Sequence, residues 1–189
     1  GIETLINPQV GVVLLNTPHN PTGYALTPAQ VERINRAVEP YDCVLAIDMV
    51  YALNALDTRA IRTLGSFDPG RTIYIDSFSK KFGLPGYRLG FAMSTNLELM
   101  DALRMMKAAE SVSTSNVKLL LAAHLLRHHM DIADATASQI RLRYHAFRAA
   151  LYGIQEYGVD IPTLTGNANA FYLPLFLERL LAHTGLDAD

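Results

Sequence analysis

The sequence predicts an α/β fold built on a mostly parallel sheet, on two observations. Short apolar runs bounded by turn residues alternate with a longer segment of helical periodicity, and the polar residues with the most chemistry follow directly after those runs. In sheets of this class ligands collect at the carboxyl ends of the strands, so the two observations point to one place.

Val10-Gly-Val-Val-Leu-Leu15, Cys43-Val-Leu-Ala-Ile47, Thr72-Ile-Tyr-Ile75 and Leu89-Gly-Phe-Ala-Met93 read as strands buried on both faces, because they lack an alternating polar face. Between the first two, Thr27 is an N-cap, Pro28 suits the first helical position, and apolar residues recur at helical spacing to Val38. Asn96 caps a further helix from Leu97 to about Glu110, and Asn116 opens a strongly apolar one reaching about His129. Residues 131–157 are again helical, and their length suits a connector between domains. Beyond Gly158, Ala168-Asn-Ala-Phe-Tyr-Leu-Pro174 reads as the first strand of a new unit, followed by a short helical start. The expected division is 1–130 for the second half of a large domain, 131–157 for an interdomain helix, and 158–189 for the start of a smaller carboxyl-terminal domain.

Half of the 189 residues are apolar, enough for a sizeable core. A formal net charge of −2 supplies no basic face for nucleic acid, and no apolar stretch is long enough to cross a bilayer. Cys43 is the single cysteine and so has no disulfide partner within the chain, which fits a cytoplasmic location. The amino-terminal residues have no basic segment followed by an apolar one, so no signal peptide is expected.

Three segments carry chemistry. Asp76-Ser-Phe-Ser-Lys-Lys-Phe-Gly-Leu-Pro-Gly-Tyr-Arg-Leu-Gly90 places an amine, two hydroxyls and a guanidinium in one turn-rich loop after a strand. That set suits holding a phosphate while a lysine forms an imine. Upstream lie Asn16-Thr-Pro-His-Asn-Pro-Thr-Gly23 and Asp48-Met-Val-Tyr51. In this order and spacing they resemble the marks of the fold-type I pyridoxal-phosphate enzymes of the class I/II aminotransferase superfamily: N-x-P-x-N-P-T-G, then D-x-x-Y, then S-x-S-K with an arginine eight residues after the lysine.

The resemblance implies a partial three-layer large domain, pyridoxal 5'-phosphate as cofactor, and Lys80 as the imine-forming residue. Lys81 is the rival, but it stands seven residues from Arg88, whereas Lys80 stands eight. Ser77 and Arg88 fall on phosphate-binding positions, and Ser79 on a further motif serine. Either serine could also serve simply as a turn cap. Asp48 matches the residue facing the pyridine nitrogen, while Tyr51 and Asn20 match those that hydrogen-bond the phenolic oxygen. Lys80, Asp48 and Tyr51 are therefore the expected catalytic residues. Asn16 braces the proline-rich loop and Gly23 is free to take positive φ. No metal site is expected: His124, His128 and His129 read as a solvated helix end, without a carboxylate or cysteine to complete a ligand set.

The activity so implied is transfer of an amino group between an amino acid and a 2-oxo acid. A PLP-dependent lyase, decarboxylase or cyclase on the same scaffold remains open, as does a non-catalytic PLP-binding regulatory domain. Family members that prefer acidic substrates use a second arginine after the first post-lysine helix; here that stretch is Ser111-Val-Ser-Thr-Ser-Asn116, so a non-acidic amino acid is expected. The resemblance also implies a longer homodimeric protein with active sites at the subunit interface. The amide turn cupping the phosphate, the ring stacked on the pyridine and the arginine for the substrate carboxylate would lie on other stretches, leaving these residues inactive alone.

Overall fold

A computed structural model of the chain describes residues 1–54, 59–160 and 172–184. The sheet has four strands, β1 (Val12–Asn16), β2 (Val44–Asp48), β3 (Thr72–Ser77) and β4 (Gly90–Met93), adjacent in that order. β1, β2 and β3 are parallel, and β4 runs antiparallel to β3. Segment 78–89, which joins β4 to β3, holds only a single helical turn and a 3-10 turn and no crossover helix, and β4 returns beside β3 in the antiparallel direction. Gly90 makes that pairing possible, since a Cβ there would lie 2.8 Å from the Asp76 carbonyl oxygen.

Helix α1 (Pro28–Val38) begins as its sequence dictates. The Thr27 hydroxyl accepts from the Gln30 amide at 3.3 Å while the Gln30 side chain accepts from the Thr27 amide at 2.8 Å, a reciprocal capping box ahead of Pro28. Val31, Ile34 and Val38 line its buried stripe and meet Cys43, Leu45 and Ile47, with Leu64 of α2 (Arg59–Leu64) and Phe67 completing this core. At its carboxyl end the Arg71 guanidinium donates to the carbonyls of Val38, the last helical residue, and of Tyr41 in the turn that follows, both at 3.0 Å. The sequence reading did not identify α2.

Burial on both faces holds poorly for β1. Val12 and Leu14 are 59% and 68% exposed, because α1 covers the opposite face of the sheet, where Val13 and Leu15 point together with Leu45 and Ile47.

A second core fixes the segment after β3. Phe78 opens the single-turn helix α3 (Phe78–Lys81), and it packs with Phe82 and Leu89 against Ala122, Leu125 and Ala133. Those last three belong to α5 (Asn116–His128) and α6 (Met130–Tyr152), which follow α4 (Leu97–Ser111). Asn96 caps α4 as expected, its side chain accepting from the Leu99 amide at 3.1 Å. The helix expected over 131–157 ends earlier, at Tyr152, and a separate 3-10 turn occupies Gln155–Tyr157.

Of the expected strand Ala168–Pro174, the part up to Phe171 lies outside the described residues. Residues 172–175 have no regular structure, and a single bridge pairs Asp160 with Phe176 before α7 (Glu178–Thr184). No described helix is long and apolar enough to cross a membrane.

Candidate active site

Parallel pairing aligns the ends of β1 and β2, so Asn16 stands beside Asp48. The Asn16 amide donates to the Asp48 carbonyl at 3.2 Å, and its oxygen accepts from the Asn20 backbone at 2.6 Å. Asn16 thereby braces the loop that follows, as expected. Within that loop the Gly23 amide donates to the His19 carbonyl at 2.8 Å, with Gly23 at φ 70°, a conformation that glycine adopts without strain.

Asp48 ends β2 half-buried, and its carboxylate accepts from the Val50 amide at 3.2 Å. This local turn redirects the chain and buries Tyr51, which is 6% exposed. The Tyr51 hydroxyl accepts from the Asn20 side chain at 3.4 Å and from the Tyr172 hydroxyl at 2.7 Å. The two tyrosine rings meet edge to face, with centroids 5.1 Å apart and planes at 73°.

Ser77 serves as the N-cap of α3, its Oγ accepting from the Ser79 amide at 3.1 Å. The same hydroxyl donates to the Leu89 carbonyl at 3.2 Å, which closes the loop onto the residue after Arg88. One helical residue is a rotation of about 100°, so Lys80 and Lys81 leave α3 in different directions. Lys80 lies 5.7 Å from the Tyr51 ring centroid, whereas Lys81 forms an ion pair with the buried Asp76 carboxylate. Lys80, Tyr51 and Asn20 are thus brought together, with Asp48 three residues before Tyr51.

Ser79 is half-buried beside Lys80. Arg88 takes a left-handed conformation at φ 50°, and its exposed guanidinium donates to the Pro85 carbonyl at 3.1 Å. Ser77 and Arg88 therefore share one loop, with their side chains bonded to backbone carbonyls.

His124 and His129 face each other with ring nitrogens 3.1 Å apart at the α5–α6 junction. Among the described residues no three histidine, cysteine or carboxylate side chains converge to hold a metal.

Two participants escaped the sequence reading. Asp76 adjoins the motif but carries no signature of its own. Tyr172 reaches Tyr51 across 121 positions, a separation that no local pattern encodes. Burial, and then the hydrogen bond it donates to Tyr51, pushes the Tyr172 hydroxyl up to about 12.

Residues 1–183 match the family model described as aminotransferase class I and II. Over 92 residues, 48% of this chain and 24% of the relative, the sequence is 35% identical to aromatic-amino-acid aminotransferase 2 of Thermococcus litoralis. Over 193 residues, 97% of this chain and 39% of the relative, it is 26% identical to 1-aminocyclopropane-1-carboxylate synthase 4 of Solanum lycopersicum. Among solved structures, a single mutant of Thermus thermophilus aspartate aminotransferase superposes with a TM-score of 0.79 at 21% identity, over 94% of this chain and 45% of that one. N-succinyldiaminopimelate aminotransferase from Mycobacterium tuberculosis gives 0.76 at 25% identity, over 89% and 43%. The chain thus spans less than half the length of each of these proteins. The three ordered motifs stand on a fold-type I sheet, and the family match runs nearly end to end: the chain belongs to the class I and II aminotransferase family, whose members use pyridoxal phosphate.

Proposed function

We propose that the protein moves an amino group between an amino acid and a 2-oxo acid, with Lys80 as the lysine that attaches pyridoxal phosphate. The observation that carries this reading is the approach of Lys80 to Tyr51, whose hydroxyl is gripped by Asn20 and Tyr172. The residues fit the group chemically: an amine, a strand-end carboxylate, a phenol with an amide, and a loop of hydroxyls and a guanidinium.

When bound, the cofactor supplies an electron sink for a substrate's Cα. Asp48 offers the negative charge that keeps a pyridine nitrogen protonated. Tyr51 and Asn20 hold the phenolic oxygen. Ser77, Ser79 and Arg88 hold the phosphate, Arg88 exchanging its bond to the Pro85 carbonyl for a charge-assisted one. The Lys80 amine would take and return the proton at the substrate Cα.

A non-acidic substrate is the preferred class, because Ser111–Asn116 offers hydroxyls and no cation. We also place residues 1–130 in the large domain, 131–157 in the connector and 158–189 in the small domain, within a cytoplasmic homodimer. A second reading has one specific support: the tomato relative that aligns along 97% of this chain is a synthase. A lyase, decarboxylase or cyclase would use the same cradle.

Borohydride reduction of the loaded full-length protein, followed by peptide mapping, tests the attachment. A pyridoxyl group on Lys80 is expected, and one on Lys81 would overturn the assignment. Return of the cofactor from its amine form to its aldehyde form on adding a 2-oxo acid separates transamination from the second reading.

A further inference from the structure

Tyr51 is the residue through which this site would tune its cofactor, yet its hydroxyl is not held by its own motif alone. Asn20 donates to it at a long 3.4 Å, while Tyr172 donates at 2.7 Å, near the optimum for an O–H···O bond. Tyr172 comes from beyond α6, 121 positions later, and packs edge-on against the Tyr51 ring. A ring that only filled space would need no hydroxyl at this contact, and a phenylalanine would serve it.

A phenol oxygen accepts through two lone pairs and donates one proton. With Asn20 and Tyr172 occupying the acceptor side, Tyr51 acts toward a third group as a donor. A donor acting on its oxygen also polarises its O–H bond, because linked hydrogen bonds strengthen one another. We propose that Tyr172 is a positioning residue, outside the recognised motifs, that orients and polarises the Tyr51 hydroxyl toward the cofactor's phenolic oxygen. This inference rests on the assignment of Tyr51 under Proposed function. Loss of the Tyr172 hydroxyl weakens donation from Tyr51, so the bound chromophore keeps its proton to higher pH.

The test uses the full-length protein loaded with pyridoxal phosphate, with the absorbance of the bound chromophore titrated against pH. In Tyr172→Phe the midpoint should rise by about half a pH unit, the reach of one neutral hydrogen bond acting at second hand. Tyr51→Phe should move it further in the same direction. With Tyr172→Phe, kcat should fall about threefold while KM holds and stability falls by no more than one hydrogen bond contributes, as expected for a group that acts only through its neighbour. Replacing Tyr172 with 3-fluorotyrosine keeps the ring and strengthens the donor, so the midpoint should fall; this arm stands even where the phenylalanine variant folds poorly. If Tyr51→Phe shifts the midpoint and neither change at Tyr172 does, Tyr172 only packs and the inference is overturned. If Tyr51→Phe leaves the midpoint unmoved, the assignment of Tyr51 itself fails.

Discussion

Lys81 and Asp76 form an ion pair in which the carboxylate is 3% and the lysine side chain 15% exposed, and this pair gives Lys81 surroundings different from those of Lys80, which lies over the Tyr51 ring. Asp76 also accepts from the Ser77 amide at 2.7 Å, and Lys81 lies 5.5 Å from the Phe91 ring centroid. Lys81 is therefore built into the β3–β4 corner. Removing one partner of a buried pair leaves a charge with no compensation and costs about 3–5 kcal/mol. Lys81→Ala should destabilise the protein by that order in urea unfolding, and Lys80→Ala by less than about 1 kcal/mol. Equal losses would show that both lysines are structural.

Asp48 sits half-buried at the end of β2 with its carboxylate on the Val50 amide, a bond that asparagine can also accept. Asp48→Asn should therefore fold and retain pyridoxal phosphate. Turnover should drop by about a hundredfold or more, because an uncharged partner no longer keeps the pyridine nitrogen protonated. Single-turnover rates matching the parent would remove Asp48 from that role.

Gly90 and Gly86 bracket the same loop but differ in surroundings. A Cβ at Gly90 would meet the Asp76 carbonyl oxygen at 2.8 Å, whereas one at Gly86 meets nothing within 4 Å. Gly90→Ala should push β4 from β3 and cost about 1–3 kcal/mol, the usual range for forced overpacking. Gly86→Ala should be nearly neutral. Equal melting temperatures for the two variants would contradict the contact.

The raised Tyr172 hydroxyl gives stability a defined alkaline limit. Its ordinary value is 10.0 and its folded value about 12, raised first by burial, so the folded state holds this proton longer than the unfolded chain does. The contribution is complete below pH 10 and is lost as pH rises through about 12. Burial raises Tyr74 and Tyr144 in the same direction, so part of the decline is theirs. Denaturant unfolding from pH 9 to 12 should show falling stability, with a shallower fall in Tyr172→Phe. Identical slopes in the two proteins would place the alkaline limit elsewhere.

Much of the site was legible because its residues are local to strand ends. Asn16, Asp48 and Ser77 each close an apolar run, and parallel pairing sets Asn16 beside Asp48 and carries β3 two residues further, to Ser77. Helix α1 was equally legible: Thr27 and Pro28 encode its start, and apolar residues at helical spacing its buried stripe of Val31, Ile34 and Val38, while the reciprocal bond from Gln30 came with the structure. The exposure of Val12 and Leu14 was not, because burial depends on what covers a strand and not on its apolarity. The sequence by itself determined the α/β class and the family motifs. Only the tertiary structure decided that Lys81 is held by Asp76, that β4 turns antiparallel, and that Tyr172 reaches Tyr51. Each of these depends on where distant or differently directed backbone segments come to rest, which the folded packing decides and residue spacing does not encode.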